Sequence, residues 1–121
     1  MATPAKKSPI TCHVLDSTLG QPGKEIGVFV ERYEFAAAKY NMLGEGSTDQ
    51  DGRCTTLLDP STPLAPGLYK ITFKTGDYFV AQNRESFYPI VEITFHVAKA
   101  DDHYHIPLLL SPWSYTTYRG S

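Results

Sequence analysis

The sequence lacks the features of disulfide-stabilised and nucleic-acid-binding proteins. It contains only two cysteines in 121 residues, Cys12 and Cys54, far below the density of a small secreted disulfide scaffold. We therefore expect both thiols to be reduced. Eleven Lys and Arg against thirteen Asp and Glu give a formal net charge of −2. Because no basic run is present to neutralise phosphates, a general affinity for nucleic acid is excluded.

The sequence also lacks a long apolar segment and a secretion signal. No apolar run approaches the roughly 20 residues that a bilayer-spanning helix needs, so no membrane association is expected. Residues 1–9 carry two lysines with no apolar stretch behind them, and we interpret them as a flexible tail. The sequence ends without a Ser-Lys-Leu peroxisomal address, which favours a cytoplasmic location.

What is present indicates one domain, residues 10–121, made of short strands. Runs rich in β-branched and aromatic residues alternate with turns containing Gly, Pro, Asp and Ser, which predicts an antiparallel sandwich or barrel. Residues 36–51 are interpreted as a polar connection because Gly44 and Gly46 disfavour regular structure, and 82–87 as the one short helix. The predicted strands are 11–16, 26–35, 53–58, 68–75, 78–81, 90–98, 105–110 and 114–118.

The period of two along a strand separates the side chains of the first run into two faces. Cys12 and Val14 point to one side, whereas Thr11, His13 and Leu15 point to the other. The face that carries His13 therefore mixes apolar and polar side chains, which is typical of a binding cleft or a subunit interface.

The same period places His105 opposite an apolar face near the end of the chain. His103 and Leu109 share the face of His105. An imidazole inside so apolar a run needs a partner or a function, whereas His96, on an outward face, is interpreted as an ordinary surface residue. The opposite face consists of Tyr104, Ile106, Leu108 and Leu110.

A metal site is an alternative interpretation of the same histidines. His103 and His105 have the His-x-His spacing that places two rings about 7 Å apart on one strand face. His13 is the candidate third ligand, which would make the protein a zinc hydrolase.

Several motifs occur in the order found in one enzyme family. Cys-His-Val-Leu-Asp at 12–16 precedes Gly-Gln-Pro at 20–22, and Asp-Gly-Arg at 51–53 follows the central connection. His-Tyr-His-Ile-Pro-Leu-Leu-Leu-Ser-Pro begins at His103, and Tyr-Arg-Gly-Ser ends at Ser121. Together they resemble the transthyretin-related 5-hydroxyisourate hydrolases over nearly all of residues 10–121.

This resemblance implies a fold, an assembly and a reaction. The fold is a transthyretin-like, eight-stranded antiparallel β-sandwich with one short helix, and the assembly is a homotetramer with sites in a channel between dimers. The reaction is hydrolysis of 5-hydroxyisourate, the product of urate oxidation, without a cofactor. Because urate oxidation occurs in peroxisomes in some organisms, that compartment is the alternative to the cytoplasm.

The resemblance also implies the site residues. Carried over by position, the catalytic group is His13, Arg53, His105 and Ser121, and the substrate-binding group adds His103 and Tyr118. Two features depart from the family pattern. Cys12 replaces Thr or Ser, which matters little if it faces the core, and the connection at 35–50 is longer than in many members.

Elementary chemistry assigns roles to three of these residues. Hydrolysis needs a base for water and a cation for the oxyanion. Histidine, with an ordinary pKa of about 6.5, suits the first task, and we assign it to His105. Arg53 stays protonated and offers a planar fork to carbonyl oxygens. Ser121 offers a hydroxyl and, at the end of the sequence, a carboxylate.

A non-catalytic carrier of the transthyretin type is the alternative to the enzyme. Transthyretin carries thyroid hormone in the equivalent channel. It lacks the His, Arg and terminal Ser pattern of this sequence, so the enzyme is favoured.

Overall fold

The computed structural model describes residues 7–121. Two sheets pack face to face, and within these residues one short helix connects two neighbouring strands of the same sheet. No helix in that range has the length and apolar character that a membrane crossing requires. The elements are β1 (Ile10–Asp16), β2 (Gln21–Pro22), β3 (Gly27–Glu34), β4 (Lys39–Ser47), β5 (Arg53–Cys54), β6 (Gly67–Phe73), α1 (Thr75–Val80), β7 (Val91–Val97), β8 (Tyr104–Leu110) and β9 (Tyr115–Thr117).

The first sheet is built around β1, and the second is a regular antiparallel sheet. In the first, β1 pairs with β8 on one edge and with the short strands β2 and β5 on the other, and β9 extends the sheet beyond β8. In the second, the order is β4-β3-β6-β7. The β1–β8 pair is parallel, whereas the other strand pairs among residues 7–121 are antiparallel.

The core lies between the two sheets, and its composition follows the strand period. Cys12 and Val14 on β1 are fully buried, and the predicted apolar face of β8 is buried as well. The two cysteines lie opposite each other in the β1–β5 pair, and both are free thiols. The largest fully buried side chains include Tyr69, Phe73 and Phe79.

The predicted all-β sandwich with one short helix is confirmed, but the strand inventory differs. The structure has nine strands within residues 7–121 where eight were predicted, because β2 and β4 were not predicted and the predicted strand at 78–81 is absent. The predicted strand at 53–58 is limited to Arg53–Cys54.

The prediction of a polar connection at 36–51 was wrong over most of its length. Residues Lys39–Ser47 form β4, a full antiparallel partner of β3. The glycines that suggested a loop are there for another reason: a Cβ at Gly44 would overlap the carbonyl oxygen of Leu57, and one at Gly46 would lie 3.0 Å from the Cys54 sulfur. Glycine within a strand often marks such a close approach.

The helix prediction was displaced along the chain. Helix α1 spans Thr75–Val80, in place of the predicted strand at 78–81, and residues 82–87 are not helical. Its start is fixed by the segment before β7: Thr75 donates its hydroxyl to the carbonyl of Tyr88 at 2.9 Å, and the backbone N–H of Gly76 donates to Pro89. These long-range contacts have no local sequence pattern.

The described part of the predicted tail is attached to the domain. Ser8 is buried, its hydroxyl donates to the carbonyl of Ile10, and the backbone N–H of Leu58 donates to that hydroxyl at 3.1 Å. Regular hydrogen bonding therefore begins before residue 10. Residues 1–6, the rest of the predicted tail, lie outside the described residues.

A buried ion pair connects β1 to the segment after α1. The Asp16 carboxylate is fully buried and accepts hydrogen bonds from Tyr78 at 2.8 Å and from Arg84 at 2.7 Å. Burial alone would raise the pKa of Asp16, but these hydrogen bonds outweigh it and hold the pKa below its ordinary value. The pair therefore fixes α1 against the first sheet.

We expect Asp16→Asn to lower the free energy of unfolding by about 3–5 kcal/mol, because it leaves Arg84 without its buried counter-charge. Urea denaturation at pH 7 measures the change. Because the folded pKa lies below the unfolded one, wild type should lose the part of this stabilisation that depends on the ionised carboxylate as the pH falls below about 4. Glu85→Gln, an exposed carboxylate beside Arg84, is the control. Equal stability of D16N and wild type would contradict this role.

Candidate active site

A polar cavity of about 310 Å³ opens at the β1–β8 end of the first sheet. Four of the six predicted site residues line it, namely Arg53, His103, His105 and Ser121. The remaining lining residues, which the sequence did not single out as site residues, are Lys7, Thr11 and Thr55.

The pairing of β1 on both edges brings His13 and Thr11 to this cavity. In the antiparallel β1–β5 pair His13 lies opposite Arg53, and in the parallel β1–β8 pair Thr11 lies opposite His105. His13 is half-buried beside the cavity rather than in its lining. It is nevertheless close enough to contribute to the electrostatic environment of His105.

Tyr118 belongs to a neighbouring cavity. It is 57% exposed and, with Arg119 and Phe95, lines a space of about 250 Å³ between β7 and the end of the chain. His105 lines both cavities. The structure therefore places Tyr118 on the far side of His105 from Arg53, and does not bring it into the polar cavity.

A tight turn between β4 and β5 holds the backbone of Arg53. One carboxylate oxygen of Asp49 accepts hydrogen bonds from the backbone N–H groups of Asp51 at 2.9 Å and Arg53 at 3.0 Å. Gly52 has a φ of +76°, and a Cβ there would overlap the carbonyl oxygen of Val14, so the turn requires glycine. The hydrogen bond from the Arg53 backbone, with charge contributions from Arg53 and His13, lowers the pKa of Asp49.

The imidazole of His105 is oriented by a buried threonine. The Thr11 hydroxyl lies 2.7 Å from Nδ1 of His105 and 3.0 Å from Nε2 of His103. The two rings are nearly parallel, with centroids 6.5 Å apart and an interplanar angle of 18°. Nε2 of His105 makes no hydrogen bond to residues 7–121, so it is the ring nitrogen available to a ligand.

The last residues of the chain pack across His105. The backbone N–H of Gly120 donates to the carbonyl of His105 at 2.9 Å. The Arg119 guanidinium lies 4.7 Å from the Tyr104 ring centroid and 3.7 Å from an Asp102 carboxylate oxygen. These contacts place Ser121 at the cavity.

The environment of His105 favours its neutral form. Burial lowers the pKa of His105, and the nearby His103, His13, Arg53 and Lys7 lower it further. Burial also lowers the pKa of His103, with a contribution from Lys7. Both imidazoles are therefore neutral at pH 7, and a neutral imidazole can accept a proton.

The described residues contain no set of metal ligands for the zinc alternative. Within 7–121, no group of three or more His, Cys, Asp or Glu side chains is arranged to hold a metal ion. The facing nitrogens of His103 and His105 are both directed at the Thr11 hydroxyl. Such an arrangement suits hydrogen bonding rather than shared metal ligation.

Thr11 was not predicted as a site residue, although the sequence contained a signal for it. The period of two placed Thr11 on the face of His13, but a threonine on a polar face is too common to be noticed. Asp49 and Gly120 act through backbone contacts that only the folded chain reveals. Lys7 and Thr55 reach the cavity through chain segments with no strand pattern.

The two packed sheets, the single helix and the polar cavity define a transthyretin-like sandwich with a histidine and arginine site. A sequence model described as the HIUase/Transthyretin family matches residues 10–120. The chain belongs to this family. It is 46% identical over 121 residues to the 5-hydroxyisourate hydrolase of Mus musculus, with all of both chains covered.

Solved structures of both branches of the family share the fold. The 5-hydroxyisourate hydrolase of Klebsiella pneumoniae superposes with a TM-score of 0.80 at 32% identity, covering 93% of this chain and 97% of that one. Sea bream transthyretin in complex with thyroxine gives a TM-score of 0.84 at 29% identity, covering 93% and 94%. Since hydrolase and carrier share the fold, side chains must distinguish them.

We expect Gly120→Ala to lower kcat/KM for 5-hydroxyisourate, the substrate named for the mouse and Klebsiella hydrolases, by about 100-fold. A Cβ at Gly120 would lie 2.5 Å from Cδ2 of His105, so the ring or the terminal segment must move. Loss of substrate absorbance measures the rate. Gly27→Ala is the control, since its Cβ would meet only the flexible Lys74 side chain. Unchanged kcat/KM in G120A would contradict the packing role.

Proposed function

We propose that this protein hydrolyses 5-hydroxyisourate in urate degradation, without a metal or other cofactor, and that His105 activates the water. The observation that carries the proposal is the polar cavity itself, in which a neutral, half-buried imidazole shares the lining with Arg53. The similarity to the named 5-hydroxyisourate hydrolases supports the same activity.

The proposed reaction adds one water to the substrate. Nε2 of His105 takes a proton as the water oxygen attacks a ring carbonyl, and negative charge develops on the carbonyl oxygen. The oxyanion then collapses to a carboxyl group, the C–N bond of the ring breaks, and the His105 imidazolium gives its proton to the leaving nitrogen. The product is 2-oxo-4-hydroxy-4-carboxy-5-ureidoimidazoline, so atoms and charge balance.

The other site residues bind and orient the substrate in this proposal. Arg53, exposed at the cavity, presents a planar cation to substrate oxygens. His13 lies opposite it across the β1–β5 pair and assists in binding and charge stabilisation. Ser121 supplies a hydroxyl group, and His103 binds at the same wall. Tyr118 contacts substrate only from the neighbouring cavity.

A carrier function of the transthyretin type is not favoured. All seven residues that line the cavity have polar side chains, four of which are Lys, Arg or His. Binding sites for drug-sized ligands are lined mainly by apolar side chains. A flat, oxygen-rich ring suits this lining better than a hydrophobic hormone.

We also propose that the protein assembles as a homotetramer in the cytoplasm, with the peroxisome as the alternative compartment. An exposed aromatic cluster, formed by Phe87, Tyr88, Trp113 and Tyr115, supports assembly. Phe87 and Trp113 are each 64% exposed, and the Phe87 and Tyr88 ring centroids lie 4.9 Å apart. Exposed apolar patches of this kind mark interaction sites.

We expect wild-type protein to accelerate the loss of substrate absorbance well beyond the spontaneous decay. His105→Gln should lower kcat by about 10²–10⁴-fold, the usual contribution of a general base. Because the pKa of His105 is lowered in the free protein, wild-type kcat/KM should stay constant near pH 7 and fall only below the ordinary histidine value of about 6.5.

The control for H105Q is Lys39→Gln, an exposed residue on β4 that lines neither cavity. Wild-type protein that does not exceed the spontaneous rate would contradict the enzyme, and full activity of H105Q would contradict the base. Elemental analysis and a chelator test the cofactor-free proposal: about one zinc per chain, with activity lost on chelation, would overturn it.

We expect Trp113→Ser combined with Phe87→Ser to reduce the assembly to smaller species, because the pair removes the most exposed rings of the aromatic cluster. Light scattering with size-exclusion chromatography measures the mass. Leu19→Ser, also exposed but outside the cluster, is the control. A monomeric wild type, or an unchanged mass in the double variant, would contradict the tetramer or its interface.

A further inference from the structure

The geometry points to Thr11 as a positioning residue that selects the tautomer of His105, with His103 as the acceptor of the Thr11 hydroxyl proton. This inference rests on the proposed function in one respect, namely that His105 is the base. Thr11 itself does not contact the reacting atoms, since its hydroxyl lies on Nδ1, behind the free Nε2.

The Thr11 hydroxyl has a single proton to donate. Thr11 is only 2% exposed, and its hydroxyl lies within hydrogen-bond distance of two ring nitrogens, at 2.7 Å and 3.0 Å. A hydroxyl donates one hydrogen bond and can accept others, and a neutral imidazole has one N–H and one bare nitrogen. Thr11 can therefore donate to only one of the two rings. Because its hydroxyl has no other acceptor among residues 7–121, it donates to one ring and accepts from the other.

Two arrangements satisfy these groups, and they have opposite consequences for catalysis. If Thr11 donates to Nδ1 of His105, the His105 proton is on Nε2, and the nitrogen facing the ligand cannot take a proton. If Thr11 accepts from Nδ1–H of His105, Nε2 is bare and basic. In this second arrangement Thr11 donates its own proton to Nε2 of His103.

The position of His103 permits the second arrangement, which is the one that leaves Nε2 of His105 basic. His103 is exposed, so its Nδ1–H can be solvated when its Nε2 accepts from Thr11. Burial and Lys7 keep His103 neutral, which preserves that acceptor. The groups that face the two rings from neighbouring segments are Arg53 on β5, His13 on β1 and Lys7 before β1. Each of them lowers the pKa of His105 and so disfavours its protonation.

The resulting chain runs from His105 Nδ1–H to Thr11 and from Thr11 O–H to His103. It also stabilises the imidazolium that forms when Nε2 takes a proton, because Nδ1–H keeps its acceptor throughout. The arrangement resembles the way an acceptor behind a catalytic histidine fixes its tautomer, with a hydroxyl and a second imidazole in place of a carboxylate.

The test compares Thr11→Val, which removes only the hydroxyl, with Thr11→Ser, which keeps it. We expect T11V to lower kcat by about 10–100-fold with KM little changed, a loss that corresponds to about 1.4–2.7 kcal/mol. T11S should restore kcat to within about threefold of wild type. The matched control is Thr72→Val, a buried threonine on β6 whose hydroxyl has no partner among residues 7–121.

Nitrogen-15 NMR of the imidazoles gives a readout that does not depend on activity. Wild-type His105 should show the Nδ1–H tautomer with a bare Nε2, and T11V should shift it toward Nε2–H. His103→Phe should do the same without altering Thr11. Because T11V and H103F interrupt one chain, their effects on kcat should not add.

The outcomes separate this inference from the proposed function. A wild type without hydrolase activity would overturn the function, while the NMR tautomers would still decide the role of Thr11. An Nδ1–H tautomer that persists in folded T11V would overturn the inference even if hydrolysis is confirmed. So would a T11S variant as impaired as T11V, since a purely steric role would then account for the loss.

Discussion

The hydrogen bonding of β1 on both edges is the constraint on which the site depends. One edge, parallel to β8, sets Thr11 opposite His105, and the other, antiparallel to β5, sets His13 opposite Arg53. Because a shift of one residue would turn every side chain to the other face, the buried Cys12 and Val14 fix the register. The core side of β1 therefore determines the geometry of its polar side.

The site combines positive charge with partial burial, and this combination determines its chemistry. Arg53 and Lys7 line the same cavity as His105, and a second imidazole stands beside it. In water such cations would be screened, whereas at a half-buried ring they act with burial to keep the base unprotonated. The same cations suit a substrate on which negative charge develops during the reaction.

Much of the fold could be predicted from the sequence, and the failures have a common cause. Alternation of apolar residues correctly placed the strands of the core, including β6 and β8. The segment that became β4 was missed because Gly44 and Gly46 serve a contact with residues near Leu57, far along the chain. Helix α1 was displaced because its start is fixed by bonds to the segment before β7. Local patterns do not record such distant partners.

The sequence by itself determined the sandwich class, the face on which His13 and His105 lie, and the resemblance that pointed to a hydrolase. Strand period and motif order are local properties, so they can be read without the fold. Only the tertiary structure decided that Thr11 lies between two imidazoles, that Gly120 must pack against His105, and that Tyr118 lies in a separate cavity. The first relation joins residues 92 and 94 positions apart, and the other two depend on close packing and free space, which only the folded chain creates.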